Sequence, residues 1–277
     1  MRKTLINLFV LGLLAVTVKA NSPFPTKEQV GMFLNSTTCF VLEKSPIAYN
    51  LQLKEAVEKN WNLTDYEFID RTEFEKRRNS SKYSFMFISK LGFEDEDITY
   101  NILNLTLGAE TEDLAEMPEF CAIPVSYSDD QTINYGYAFG PMMLFMQNRV
   151  KDIQKRYLLM SVSSFKIYNK NTNKVREMEL LVDPEDLSKE FEGKDDFKKS
   201  YDGVVDFMSK EDIGEKIKNN DNNVLFLHIV EPLFDETKGR CYKMIFSNKG
   251  DLYYYNYHYI DKDNPSGFLK GDLNSLN

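Results

Sequence analysis

The feature that most constrains the fold is an order of elements that occurs twice in the chain. Apolar periodicity predicts strand, helix, strand, short helix and strand in the first half, at 39–42, 48–61, 66–70, 72–78 and 83–89. The second half repeats this order, at 179–182, 184–201, 204–208, 209–217 and 224–230. Solenoid repeats are roughly 20–50 residues long, whereas this repeat returns after about 140 residues, so a domain-sized unit is duplicated.

The two copies correspond in pattern and share few identical residues. The matched positions are Phe68 with Phe207, Phe74 with Ile213, Phe85 with Phe226, Tyr100 with Tyr242, and Ile102 with Met244. Each copy then continues into β structure, over 98–108 in the first and over 241–260 in the second, where an Asn- and Gly-containing gap predicts a hairpin. The sequence therefore predicts an α/β, or α+β, fold of two tandem diverged units, each with a mixed sheet and packed helices.

The segment between the copies has the periodicity of an amphipathic helix. Gly140-Pro141 opens it, and apolar residues from Met142 to Tyr157 recur at helical spacing. The predicted organisation is a first unit over 21–137, a connecting helix within 138–160 and a second unit over 161–277, which ends in a Tyr-rich hairpin.

The first twenty residues have the pattern of a signal peptide. Arg2 and Lys3 precede the apolar run 5–16, and Val18-Lys19-Ala20 supplies small residues at the cleavage positions. We therefore expect residues 1–20 to be removed and the protein to be periplasmic, envelope-associated or secreted. No later segment is long and apolar enough for a transmembrane helix, so no integral membrane segment is expected after cleavage.

The charge balance narrows the class of partner. The chain carries 34 basic and 43 acidic side chains, a net charge of −9. Nucleic acids and anionic membrane surfaces both require clustered positive charge, so neither is expected as a partner. A protein or glycan partner in the cell envelope is the expectation that remains.

The three cysteines, Cys39, Cys121 and Cys241, are too few and odd in number for a disulfide framework. Each lies in or beside an apolar run, where a thiol usually behaves as a small buried hydrophobe. Buried free thiols are therefore the first expectation, and a bridge between Cys39 and Cys121 is the alternative in an oxidising compartment.

Sequence motifs for metal or cofactor chemistry are lacking. His228 and His258 both fall within predicted strands, without neighbouring ligands or a nucleophile. The acidic runs at 94–97 and 261–272 do not have the ligand spacing of a calcium loop, and no Gly-rich phosphate loop occurs. We therefore expect neither a metal nor a cofactor.

A hydrolase with a cleft between the two units is the alternative to a binding protein. Glycosidases need only two carboxylates at a suitable separation, so repeat-related acidic residues are candidates. The catalytic candidates are Asp70, Glu73, Asp206 and Glu211.

The last predicted strand is unusually rich in tyrosine. Strand periodicity puts four tyrosines on one face, at Tyr253, Tyr255, Tyr257 and Tyr259. Exposed, this row would bind sugar rings or another protein through large, rigid rings with polar tips. The other interpretation is that the rings pack beneath helices of the same unit.

The string YEFIDRTEFEKR at 66–77, within its strand and helix order, resembles the amino-terminal α/β module of envelope proteins of the TolB and curli-secretion lipoprotein type. In that module too, a strand ends in an Asp-Arg or similar pair before a short helix. The second copy has Asp206-Phe207-Met208-Ser209-Lys210 instead, and Asn21 stands where a lipoprotein carries cysteine. More broadly, the chain resembles exported two-repeat proteins of Gram-negative bacteria. The resemblance implies an envelope location and a non-enzymatic binding or scaffolding module, and it assigns no site residues.

Overall fold

The computed structural model describes residues 23–96, 98–127, 135–219, 223–232 and 238–277, and the predicted signal peptide lies outside them. The predicted α/β fold is confirmed, because helices pack on two mixed five-stranded sheets. The first sheet contains β1 (Thr37–Leu42), β2 (Tyr66–Asp70), β3 (Tyr83–Gly92), β4 (Thr99–Leu107) and β5 (Glu119–Tyr127). The second contains β6 (Glu179–Val182), β7 (Val204–Phe207), β8 (Leu225–Val230), β9 (Arg240–Ser247) and β10 (Leu252–Tyr259).

The helices lie between the strands and at both ends of the described chain. The α-helices are α1 (Lys27–Leu34), α2 (Ile47–Asn60), α3 (Arg71–Arg77), α4 (Phe139–Lys155), α5 (Tyr157–Met160), α6 (Lys194–Ser200), α7 (Lys210–Asn219) and α8 (Lys270–Asn274). The 3₁₀ segments are Leu114–Glu116, Gly136–Ala138, Phe165–Glu177 and Pro184–Asp186. Within the described ranges, no helix is long and apolar enough to cross a membrane.

The two sheets have the same topology. The strand order is β2-β1-β3-β4-β5 in the first and β7-β6-β8-β9-β10 in the second. In each, the first strand of the copy pairs in parallel with two neighbours, and the last two strands are antiparallel. Identical order and direction in both halves support the duplication.

Equivalent side chains also perform the same structural tasks in both copies. Asp70 accepts a hydrogen bond from the Glu73 backbone N–H and so caps α3, and Ser209 accepts one from Asp212 N–H at the start of α7. The strand-to-helix ion pair Glu67–Arg77, at 2.5 Å, has its counterpart in Asp206–Lys216, at 3.2 Å. The same number of residues separates the members of each matched pair, so the repeat is in register through this region.

In the fourth strand of each copy, the predicted matches are wrong by two residues. Phe85 pairs with Thr106, and its counterpart Phe226 pairs with Phe246. Counting back along both strands, Tyr242 corresponds to Ile102 and Met244 to Asn104. A shift of two keeps every side chain on its original face of the sheet, so an apolar pattern cannot detect it.

The helix predicted over 184–201 is also wrong, because only its ends are helical. Phe268, from near the end of the chain, forms two backbone hydrogen bonds with this segment. Ser188 N–H donates to Phe268 O, and Phe268 N–H donates to Asp186 O. These tertiary bonds hold the chain in a bridge that a helix would not allow. Gly193 then has a φ of 132°, which suits glycine and interrupts the chain before α6 begins.

Helix α4 is more than a connection between the two copies, because it lies in one apolar core shared by both. Even the polar side chain of Gln147 and the charged side chain of Arg149 in this helix are buried. One face of each sheet also belongs to this core, together with residues of α2 and α7. The domain boundaries at 137 and 161 stay a prediction, while the apolar contacts run continuously across them.

The two copies turn opposite faces toward the shared core. The first presents the face that carries α2, and Phe74 of α3 packs on its outer side with Phe85. The second presents the face that carries α7, with Ile213 in the shared core, while Phe197 of α6 lies on the outer side. In each copy the strand order, β2-β1-β3 or β7-β6-β8, reverses the direction of the chain across the sheet between the two crossovers. Right-handed crossovers then place the two helices on opposite faces, so each copy can offer only one of them inward.

All three cysteines are free and buried. Cys39 lies on the outer face of the first sheet and Cys121 in the shared core. The expectation of buried thiols is therefore confirmed, and the Cys39–Cys121 bridge is not formed.

Candidate functional site

Polar side chains collect where the parallel strands of the second sheet end. Asp183 and Asp186 follow β6, Lys210 follows β7 and Glu231 follows β8. In open α/β sheets, ligands bind in the crevice beyond the carboxyl ends of the strands, where the chain changes direction across the sheet. Together with β5 of the first copy, Asp186, Lys210 and Glu231 border a cavity of about 270 Å³, which we term the carboxyl-edge pocket.

Asp186 is the most buried carboxylate of the carboxyl-edge pocket, with 2% of its surface exposed. Its Oδ1 lies 2.9 Å from Lys210 Nζ. Its Oδ2 has no hydrogen-bond partner among the described residues. Burial raises the pKa of Asp186 to about 7, although the Lys210 ammonium acts in the opposite direction.

His228 lies on β8, a strand whose residues are all buried. Its Nδ1 is 3.1 Å from the Tyr137 hydroxyl, and its Nε2 has no partner among the described residues. Burial, together with the nearby charge of Lys210, lowers the pKa of His228 to about 3. The imidazole is therefore neutral near pH 7 and offers one unused ring nitrogen to the pocket.

Glu231 adds a second carboxylate to the wall of the pocket. Its Oε2 accepts a hydrogen bond from Ser266 Oγ at 2.7 Å, and burial raises its pKa. Asp183 is buried nearby, so three described carboxyl groups, those of Asp183, Asp186 and Glu231, act on the ammonium group of Lys210. The pocket therefore has an excess of acidic groups.

The first copy has a corresponding ion pair, between Arg71 and Glu43. Glu43 follows β1, and Arg71 begins α3 as Lys210 begins α7. Arg71 Nη2 lies 2.5 Å from Glu43 Oε1 and also donates to the Ile88 carbonyl at 2.6 Å. The guanidinium thus spans the carboxyl edge of the first sheet, whereas the shorter lysine in the second copy leaves an oxygen of Asp186 unpaired.

A second cavity, the junction cleft, lies between α2 of the first copy and α7 of the second. Its volume is about 500 Å³, and Tyr137 of the 3₁₀ segment before α4 and Pro141 of α4 contribute to its wall. Lys218 of α7 lies 2.8 Å from Glu55 of α2, so an ion pair joins its two sides. Lys210 borders both cavities, which makes them neighbours.

The four carboxylates proposed for hydrolysis are not brought into one site. Asp70 caps α3, Glu73 pairs with Lys76 and Arg77, and Asp206 pairs with Lys216. Glu211 alone of the four borders the junction cleft.

The tyrosine row is interrupted by a β-bulge between Leu252 and Tyr254. The extra residue turns Tyr253 toward the outer face, while Tyr255 packs against the shared core and Phe165. The prediction that four tyrosines share a face is therefore wrong, and three remain together. Tyr257 and Tyr259 are 39% and 54% exposed, and their rings meet at 82°, so they form no flat platform.

Sequence reasoning missed Asp186, Lys210 and Glu231, and it expected His228 to be an ordinary core residue. The available signal was that each charged residue closely follows a strand of the parallel set. Among the described residues, no group of three or more His, Cys, Asp or Glu side chains is arranged to hold a metal ion.

Replacing Asp186 with asparagine is expected to change how stability depends on pH. The folded pKa of about 7 lies above the value of 3.8 that is usual for an aspartic acid side chain, so the folded protein keeps a proton that the unfolded chain releases. This group therefore makes the wild-type protein less stable as pH rises from about 4 through about 7. Denaturant unfolding at several pH values should show Asp186→Asn gaining stability relative to wild type over this range. Exposed Asp263→Asn is the control, and a constant difference for Asp186→Asn would contradict the assignment.

Comparison of the chain with protein-family models, curated proteins and solved structures found no match in any of the three. The resemblance to envelope modules therefore stays a prediction.

Proposed function

We propose that this chain is a non-enzymatic binding or scaffolding protein of the cell envelope or secreted space, and that it captures a protein partner in the junction cleft. The observation that carries the proposal is that both copies build this cleft, with α2 on one side and α7 on the other. The signal-peptide pattern of residues 1–20 supports the exported location.

The side chains of the junction cleft suit a protein segment of mixed charge. Glu55 and Lys59 project from α2, and Glu211, Glu215 and Lys218 project from α7. These acidic and basic groups surround an apolar surface. Ala56, Pro141 and Ile217, which are buried, form that surface. A polar rim around an apolar centre is the usual anatomy of a protein interface.

The walls of the cleft are held in place by the shared core. Ala56 and Ile217 belong to that core as well as to the cleft. Gly214 of α7 lies so close to Tyr137 that an added Cβ would stand 2.9 Å from the Tyr137 Cβ. Close packing of this kind favours a preformed cleft, which reduces the ordering cost of binding.

A photo-crosslinking residue at Lys59, inside the cleft, is expected to give a discrete adduct with the partner in cells that produce the protein. Charge reversal by Glu211→Lys with Glu215→Lys should reduce that adduct by about tenfold, because both changes disturb the complementary charge of the interface. Denaturing electrophoresis and mass spectrometry of the purified protein measure the adduct.

The matched controls use the same crosslinker and the same type of charge reversal at positions outside the cleft. Glu58 is exposed on α2 beside Lys59 and lies outside the cleft, so a crosslinker there should give no adduct. The double variant Glu28→Lys with Glu58→Lys changes the net charge equally and should leave the Lys59 adduct intact. The proposal fails if Lys59 gives no adduct, or if both double variants lower it equally.

Glycan binding through the tyrosine strand is the second candidate, and the exposure of Tyr257 and Tyr259 is the observation that favours it. Arg240 lies against both rings, 5.6 and 5.1 Å from their centroids, and could donate to sugar hydroxyls at the edge. The junction cleft remains the stronger site because it is concave and is bordered by both copies.

A further inference from the structure

The carboxyl-edge pocket contains two buried polar atoms that lack a partner in the described part of the chain. They are Asp186 Oδ2 and His228 Nε2, and both residues are 2% exposed and border the cavity. Buried polar atoms in folded proteins are nearly always hydrogen-bonded, so each unused atom is available to a group that enters the cavity.

The charge of the pocket indicates which chemical class of ligand it can bind. Among the described residues that border it, Lys210 is the only cationic side chain, while Glu185, Asp186 and Glu231 are acidic. An ionised carboxylate in a site of low polarity needs a cationic partner. Because Lys210 already contacts Oδ1, the unpaired Oδ2 faces a cavity in which positive charge is still lacking.

Part of the remaining wall is apolar. Val125 of β5 and Val230 of β8 are each 2% exposed and border the same cavity. A volume of about 270 Å³ accommodates a small molecule but not a folded partner. The site therefore combines carboxyl groups with an aliphatic patch in its wall.

We propose that the carboxyl-edge pocket binds a small alkylammonium ligand, whose ammonium group donates to Asp186 Oδ2 and Glu231 and whose alkyl chain packs on Val125 and Val230. The neutral His228 imidazole completes the site, with Nδ1 held by Tyr137 and Nε2 directed at the ligand. This ligand site adjoins the protein-binding cleft at Lys210, but the proposal does not depend on the cleft and stands if the cleft proposal fails.

The first copy shows why the site belongs to the second copy. There, Arg71 occupies the position equivalent to Lys210, and its guanidinium contacts both Glu43 and a backbone carbonyl. An internal cation thus already spans that edge. In the second copy, a shorter side chain with a single ammonium leaves room for an ammonium group from a ligand.

Isothermal titration calorimetry of the whole mature protein with n-butylamine, and with 1-butanol as its neutral isostere, tests the proposal. The amine should bind with one-to-one stoichiometry, and the alcohol should bind at least about tenfold more weakly because it lacks the charge-assisted hydrogen bonds. Asp186→Asn should weaken amine binding by about tenfold or more, and Glu231→Gln provides a second variant if the first fails to fold.

The control is Asp263→Asn, which removes an exposed carboxylate outside the pocket and should leave amine binding unchanged. Three results would overturn the proposal. They are equal binding of amine and alcohol, full amine binding by both pocket variants, and no heat of binding with the amine at about 10 mM.

Discussion

Phe145→Ala is expected to lower the free energy of unfolding by about 3–5 kcal/mol, because it empties a large volume in a core that cannot collapse to fill it. Phe145 is 1% exposed near the middle of α4. Its ring centroid lies 5.4 Å from Phe165, 5.3 Å from Tyr168 and 5.5 Å from Phe246. The ring therefore joins the connecting helix to the second sheet from within the shared core.

The same variant tests whether the two copies unfold together. The single tryptophan, Trp61, packs on Phe40 at 5.2 Å and reports on the first copy, whereas far-ultraviolet circular dichroism reports on the whole chain. Because Phe145 lies in a core common to both, the two signals should change at one denaturant concentration in wild type and at one lower concentration in the variant. Exposed Leu158→Ala should shift the free energy by no more than about 0.5 kcal/mol. Separate transitions for the two signals would show independent cores.

Lys243→Met is expected to destabilise the second copy by about 3–5 kcal/mol, since it leaves a carboxylate buried without its counter-charge. Lys243 on β9 and Asp272 on α8 are 0% and 3% exposed and form an ion pair. Asp272 also accepts hydrogen bonds from Tyr254 Oη at 2.6 Å and Asn256 Nδ2 at 2.9 Å. This network anchors the last helix to the outer face of the second sheet.

The pH dependence of the Lys243→Met deficit identifies its cause. Burial by itself would raise the pKa of Asp272, but Lys243 and the hydrogen bonds hold it below its usual range. In wild type the ionised carboxylate therefore stabilises the fold above the unfolded pKa of about 3.9, and this contribution is lost as pH falls through the lower folded value. The variant should lie closest to wild type in acid, as measured by denaturant unfolding from pH 7 to pH 3. A deficit that does not change with pH would mean that lost packing of the lysine stem is responsible.

The sequence determined the elements and their repetition, because both depend on neighbours along the chain. Apolar spacing predicted α2 over 48–61 where the structure has Ile47–Asn60. The Asn- and Gly-containing gap predicted the hairpin that joins β9 to β10. Periodicity also predicted the helix between the copies, now observed over Phe139–Lys155.

The candidate site could not be predicted from the sequence because its residues are far apart along the chain. Asp186, Lys210 and Glu231 are three charged residues in a chain with 34 basic and 43 acidic side chains, so none stands out. Their meeting depends on β6, β7 and β8 lying side by side and parallel. An apolar pattern identifies strands but does not give their order.

The tertiary structure alone decided which face of each copy turns inward and where each strand departs from regular spacing. Phe74 and Ile213 are equivalent in sequence, yet one packs outside and the other in the shared core. The bulge before Tyr254 separates Tyr253 from Tyr255, Tyr257 and Tyr259. Local periodicity specifies that a side chain is buried, whereas the surface that buries it is set by long-range packing around α4. The sequence therefore defined two similar units, and their packing created the cleft and the pocket where the units meet.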